Sequence, residues 1–187
     1  MTIMTPTEVL GLPRGRPLTC DDLDAMPDDG HRYELIDGIL LVSPAPRTAH
    51  QRAAAHLFRA LDQVISPSSE LLFAPVDVVL ADDTVLQPDL LIADRDLFTE
   101  RGLPAAPVLA VEIGSPSSRN VDLLLKKERL ERAGCPHYWV VDPGVPSVTA
   151  WSLVDGVYRR IAHATGDESF AVTEPFAVVL SPADLVR

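Results

Sequence analysis

The sequence predicts a mixed α/β domain of the α+β kind: a bent, mixed central β-sheet flanked by helices. Three observations predict it. Apolar runs of strand length recur along the chain, and the clearest helical spacing of apolar residues marks one stretch, Thr48–Ile65. Helices and strands mix without a regular βαβ alternation, which disfavours a doubly wound sheet. The chain has 187 residues, 47% of them apolar, with no internal repeat or linker, so one domain with a substantial core is expected.

Residues 1–18, rich in proline and glycine, predict an extended arm, and 19–187 the single domain. Thr19 can start a short helix over Asp21–Met26 that stops before Pro27, and Asp28–Gly30 makes a turn. Tyr33–Ile36 and Ile39–Val42 flank Asp37-Gly38, a strong hairpin signal. Ala53, Ala54, Leu57, Phe58, Leu61, Val64 and Ile65 recur at 3.6-residue spacing, predicting a helix over Thr48–Ile65. Strands are then expected over Phe73–Leu80, Val85–Ile92 and Val108–Ile113, with a loop and a short helical turn near Asp96–Arg101 between the last two. Asn120 can cap a second helix to Ala133, closed by Gly134 and Pro136. A strand over His137–Val141 follows. Ser147–Val154 and Val157–Ala162 form a second hairpin around Asp155-Gly156, and Phe170–Val172 and Phe176–Leu180 add short tail strands.

The net charge is −11, from 27 acidic and 16 basic side chains. This predicts weak non-specific affinity for a polyanion, because such affinity comes from Lys and Arg displacing counterions. Cys20 and Cys135 have no metal-ligand spacing and suggest no disulfide scaffold. No secretory signal or apolar run of membrane-spanning length is legible, so a soluble, cytoplasmic protein without a membrane partner is expected. A Val-, Tyr- and Trp-bearing late hairpin predicts pairing with a second copy, hence a homodimer.

Two segments carry the chemistry. Asp89 follows Pro88, which suits a strand edge or bulge that can re-aim the next side chain. Glu112 lies inside the apolar run Val108–Ile113, and a carboxylate buried there without a partner is costly. Mg²⁺ or Mn²⁺ would relieve the repulsion between two such carboxylates. The plainer alternative has Asp89 capping a turn and Glu112 meeting an arginine. Lys126 stands fourteen residues after Glu112, four after Asp122 on the expected helix. It could orient an attacking water and offset charge on a phosphate, or be half of a surface ion pair with Asp122. Glu34 could reach the same cluster, and His50 could face the same cleft. Arg47, Arg52, Arg59, Arg119 and Lys127 are candidates for a basic rim.

The order and spacing of several segments resemble the Uma2 family, within the restriction-endonuclease-like PD-(D/E)xK nucleases. They are Tyr33-Glu34-Leu35-Ile36-Asp37-Gly38, His50, Pro75-Val76-Asp77-Val78, Gln87-Pro88-Asp89-Leu90, Val111-Glu112-Ile113 with Ser115-Pro116-Ser117, Asp122 with Lys126, and Gly134 to Asp142. The resemblance spans about residues 19–180. It implies a restriction-endonuclease-like fold and a Mg²⁺- or Mn²⁺-dependent endonuclease that hydrolyses phosphodiester bonds in DNA. It further implies Asp89 and Glu112 as metal ligands and Glu34 as the family's early glutamate; the Ile113 backbone carbonyl is expected to hold the cation with those two carboxylates. Gly114 occupies the position where the wider superfamily often has its lysine, so the resemblance takes that lysine from the following helix, at Lys126. Leu130 departs from a tyrosine frequent in the family. The competing class is a catalytically silent, nuclease-like binding module, which the chain's acidity favours.

Overall fold

The computed structural model describes residues 12–13, 15–27, 29–114 and 121–187, with only the backbone of 121–123. Most of the expected arm, Asp28, Ser115–Ser118, Arg119 and the helix-capping Asn120 lie outside the described residues.

The first helix, α1 (Cys20–Asp24), is short, and the Asp22 carboxylate accepts from the Thr19 N–H at 2.9 Å to close its first turn. Strands β1 (Arg32–Ile36) and β2 (Ile39–Ser43) form the expected hairpin. Asp37 and Gly38 both take positive φ, 51° and 74°, as a tight two-residue turn requires. The long helix α2 (Thr48–Asp62) ends three residues before the expected Ile65, because the Val64 and Ile65 N–H groups both turn back to the Leu61 carbonyl.

Two expected strands are each divided. Phe73–Leu80 becomes the end of β3 (Ser69–Phe73) and most of β4 (Val78–Ala81). Val85–Ile92 becomes β5 (Thr84–Leu86) and β6 (Leu90–Asp94). Pro75 and Pro88 lie at the divisions, where neither can donate to a ladder. At these two points the chain changes sheets: β3 pairs with β6, and β4 with β5. The expected helical turn near Asp96–Arg101 is a 3₁₀ turn at Arg95–Leu97.

The central sheet is mixed, with order β10-β9-β8-β7-β6-β3. It includes β7 (Leu109–Ile113), β8 (His137–Asp142), β9 (Ser147–Val154) and β10 (Val157–Thr165). Strands β7 and β8 run parallel, so a crossover must join them. In place of the expected uniform helix, that crossover contains a π-helical turn, Val121–Lys126, which continues as α3 (Lys127–Arg132). A mixed central sheet flanked by helices is therefore the architecture. The sequence reading did not resolve a second, four-stranded antiparallel sheet, β2-β1-β5-β4. Strands β11 (Phe170–Val172) and β12 (Val178–Leu180) make a small third sheet.

Alternation along the strands gives the central sheet two faces. Leu90, Ile92, Leu109, Val111 and Trp139 pack with Ala53, Leu57 and Leu61 of α2. Ala110, Tyr138 and Val140 face the other way, onto Ile36 and Leu86 of the second sheet and Leu130 of α3. Tyr138 and Trp139 are wholly buried, so they belong to the core and not to a dimer surface. Glu112 shares the face of Ala110, and Asp89 that of Leu91. Both carboxylates therefore start on the side that the second sheet covers. Among the described residues no helix is long and apolar enough to cross a membrane.

Candidate active site

Four charged side chains from four elements are buried together between the two sheets: Glu34 of β1, Asp89 at the Pro88 crossing, Glu112 of β7 and Lys126 of the π-helical turn. The Lys126 Nζ lies 2.9 Å from Glu34 Oε1 and 3.1 Å from Glu112 Oε1. Glu34 Oε1 also accepts the Gln87 N–H at 2.7 Å, which fixes the β1 carboxylate to the segment that carries Asp89. The lysine is thus not half of a surface ion pair. The Asp122 side chain lies outside the described residues.

Asp89 uses both oxygens. Its Oδ2 accepts the Ile113 N–H at 2.7 Å and lies 3.0 Å from His50 Nε2. Its Oδ1 accepts from Arg32 Nη1 at 2.8 Å. Burial alone would raise this carboxyl's pKa, but the His50 contact and Arg32 outweigh it and hold the group at about 2. Arg32 also donates through Nη2 to the Gln87 carbonyl at 2.8 Å and stands 3.6 Å from Glu34 Oε2. Burial lowers the guanidinium's pKa, yet the fields of Asp89, Glu34 and Glu112 raise it overall.

The arrangement brings together Glu34, Asp89, Glu112, Lys126 and His50, all named in the sequence reading, and places Arg32, which that reading did not name, beside them. The legible signal was its position two before Glu34, on the same strand face. Asp89 does not cap a turn; it is held by Arg32, His50 and a backbone N–H. The plainer alternative for Glu112 named an arginine; Glu112 Oε1 lies 3.1 Å from Lys126 Nζ, and its field also acts on Arg32. Of the expected basic rim, Arg47, Arg52 and Arg59 are exposed at or along α2. Lys127 instead lies 5.5 Å over the Trp151 ring and 5.4 Å over that of Tyr158, directed onto aromatic rings.

Whether these residues suit a hard divalent cation can be judged from their donors. Among the described residues no three His, Cys, Asp or Glu are drawn together as a ready metal set. The carboxylates turn instead to Arg32, His50 and Lys126. Their chemistry nevertheless fits, since all are oxygen donors of the kind Mg²⁺ and Mn²⁺ prefer. The Ile113 carbonyl fits as well. The Gly114 N–H bonds the Val141 carbonyl of β8, so the Ile113 groups face β6. There the register Leu90↔Val111 puts Pro88 opposite Ile113, and proline has no N–H to offer that carbonyl. Two buried polar atoms of the cluster, Arg32 Nε and His50 Nδ1, also remain without a partner among the described residues. Such atoms are ones that a bound group or a water can satisfy.

Residues 20–183 match the family model Uma2, whose description is "Putative restriction endonuclease". The chain belongs to the Uma2 family. In fold it is similar to the crystal structure of a protein from Anabaena variabilis described as "a putative nuclease belonging to DUF820". The two share 21% identity with a TM-score of 0.72, over 91% of this chain and 98% of that one. No curated protein matches the chain. The Uma2 description supports a nuclease-type enzyme.

Proposed function

We propose that this Uma2 protein is a divalent-metal-dependent endonuclease that hydrolyses phosphodiester bonds, with DNA as substrate and Mg²⁺ or Mn²⁺ as cofactor. One observation carries the proposal: a buried lysine bridges two glutamates beside a third carboxylate, the aspartate that follows Pro88. Asp89, Glu112 and the Ile113 carbonyl would hold the cation. A bound cation supplies Lewis-acid polarisation of the phosphoryl oxygen and lowers the pKa of a nearby water. Lys126, its Nζ held by Glu34 and Glu112, would orient the attacking water and offset charge on the phosphate. Glu34, by accepting from Lys126 and Gln87, positions that ammonium and extends the metal shell. Arg52 and Arg59, seven residues apart on α2, share a helix face and are the basic groups offered to a polyanion. A cytoplasmic homodimer pairing through the β9–β10 hairpin is the proposed working form.

Purified protein incubated with DNA and RNA panels and Mn²⁺ should cleave DNA and lose that activity in chelator. Asp89→Ala or Glu112→Ala should abolish both metal binding and turnover. Lys126→Ala should retain metal and lose about 10²–10³-fold in kcat, as when one electrostatic donor is removed. The net charge of −11 favours a second reading, a silent nuclease-like binding module. A wild type that binds nucleic acid or a protein partner, yet cleaves nothing with any divalent ion, would support that reading.

A further inference from the structure

The cluster's charges are arranged in depth. Glu34, Glu112 and Lys126 are 1–3% exposed and Asp89 6%. The Arg32 and His50 side chains, at 22% and 18%, are the most open members. Arg32 grips by its fork alone, with Nη1 on Asp89 and Nη2 on the Gln87 carbonyl, while Nε is buried without a partner among the described residues. Asp89 Oδ2 is already committed to Ile113 N–H and His50. Oδ1 is therefore the oxygen that an incoming cation would take, and Arg32 holds it. The guanidinium also lies beside Glu34, so it stands among the carboxylates proposed to bind the ion.

We propose that Arg32 is the resident counter-cation of this cluster and that the divalent ion binds in competition with it, so that Arg32 sets the site's metal affinity. This rests on the metal-dependent reading above. With His50 neutral, the three carboxylates, Arg32 and Lys126 sum to one negative charge. A divalent ion entering beside an undisplaced Arg32 would meet a monovalent cation at the oxygen it needs, and repulsion between them is strong where water is scarce. Loss of Arg32 therefore tightens metal binding, whereas loss of a residue that merely supports the fold would weaken it. The sign of the change separates the two roles.

Titration calorimetry with Mn²⁺ on wild type, Arg32→Gln and Arg32→Lys provides the test, with folding checked by circular dichroism. Arg32→Gln should bind Mn²⁺ about tenfold or more tightly than wild type. Arg32→Lys, which keeps the charge, should stay near wild type. A folded Arg32→Gln variant with unchanged or weaker affinity overturns the inference and leaves the metal reading standing. If neither wild type nor Arg32→Gln binds Mn²⁺, both fail together. Binding by Arg32→Gln alone supports the inference in its strongest form. Should Arg32→Gln not fold, ¹⁵N-arginine spectra of wild type give the answer. The Arg32 Nε–H signal, assigned by its loss in Arg32→Lys, should move with Mg²⁺ along the binding isotherm; a signal unmoved at saturation overturns the inference.

Discussion

Replacing Lys126 with methionine keeps most of the side-chain volume and deletes the charge. The ammonium contacts Glu34 Oε1 at 2.9 Å and Glu112 Oε1 at 3.1 Å, and the side chain is almost wholly buried. Removing it takes the cluster from one net negative charge to two, with His50 counted neutral, and leaves two carboxylates in a low-dielectric space without their shared partner. Breaking a buried pair in this way costs about 3–5 kcal/mol, against a few tenths for an exposed helical pair. Urea unfolding at neutral pH should therefore show Lys126→Met losing about 3–5 kcal/mol with an unchanged m-value. The double variant Lys126→Met/Glu112→Gln removes one stranded charge and should recover about 1–3 kcal/mol of that loss. Saturating Mg²⁺ should stabilise Lys126→Met more than wild type, because an added cation can replace the missing one. A single-variant loss below about 1 kcal/mol, with no recovery in the double variant, would show that the three side chains do not form one electrostatic unit.

Two further outcomes follow from the same geometry. Asp89 titrates at about 2 in the folded protein, below the ordinary 3.8, so its contribution is complete above about pH 4 and is lost as pH falls toward 2. That is roughly 2 kcal/mol from a side chain only 5% exposed. Asp89→Asn should flatten this part of the stability profile, and a variant as acid-sensitive as wild type between pH 4 and 2 would refute the assignment. Strand β10 is an outer strand of the central sheet and carries exposed Val157 and Ile161, an edge suited to pairing with a second copy. Light scattering should give a dimer mass at micromolar concentration, and a monomer would remove the hairpin as the dimer surface.

Local rules made much of the fold legible. Asp37-Gly38 and Asp155-Gly156 each forced a hairpin, because both positions need positive φ and those residues tolerate it. The apolar stripe from Ala53 to Leu61 identified α2. The division into two sheets was not legible, because Phe73–Leu80 and Val85–Ile92 each read as one apolar run. Pro75 and Pro88 were visible within them, but a proline in a strand-like run can mean an edge, a bulge or a break, and only pairing partners decide which. The π-helical turn was hidden for a related reason: its residues, Val121–Lys126, carry no propensity signal that separates π from α.

At the site, the acidic residues were easier to find than their cations. A glutamate inside Val108–Ile113 contradicts its apolar setting and draws notice, whereas an arginine ahead of Tyr33 looks like ordinary surface charge. Strand geometry offered the missing step, since Arg32 and Glu34 are two apart and must share a face. Charge counting offered another, because three buried carboxylates against one lysine leave an imbalance that a fold would not carry alone. The crossing at Pro88 ties these together. Gln87 gives its carbonyl to Arg32 and its N–H to Glu34, Pro88 withholds an N–H from the strand opposite, and Asp89 takes the Ile113 N–H in its side chain. Three consecutive residues thus end one ladder, start another, and leave the Ile113 carbonyl without a ladder donor from Pro88. The interruption that obscured the strand boundaries in the sequence also sets the carboxylate in place.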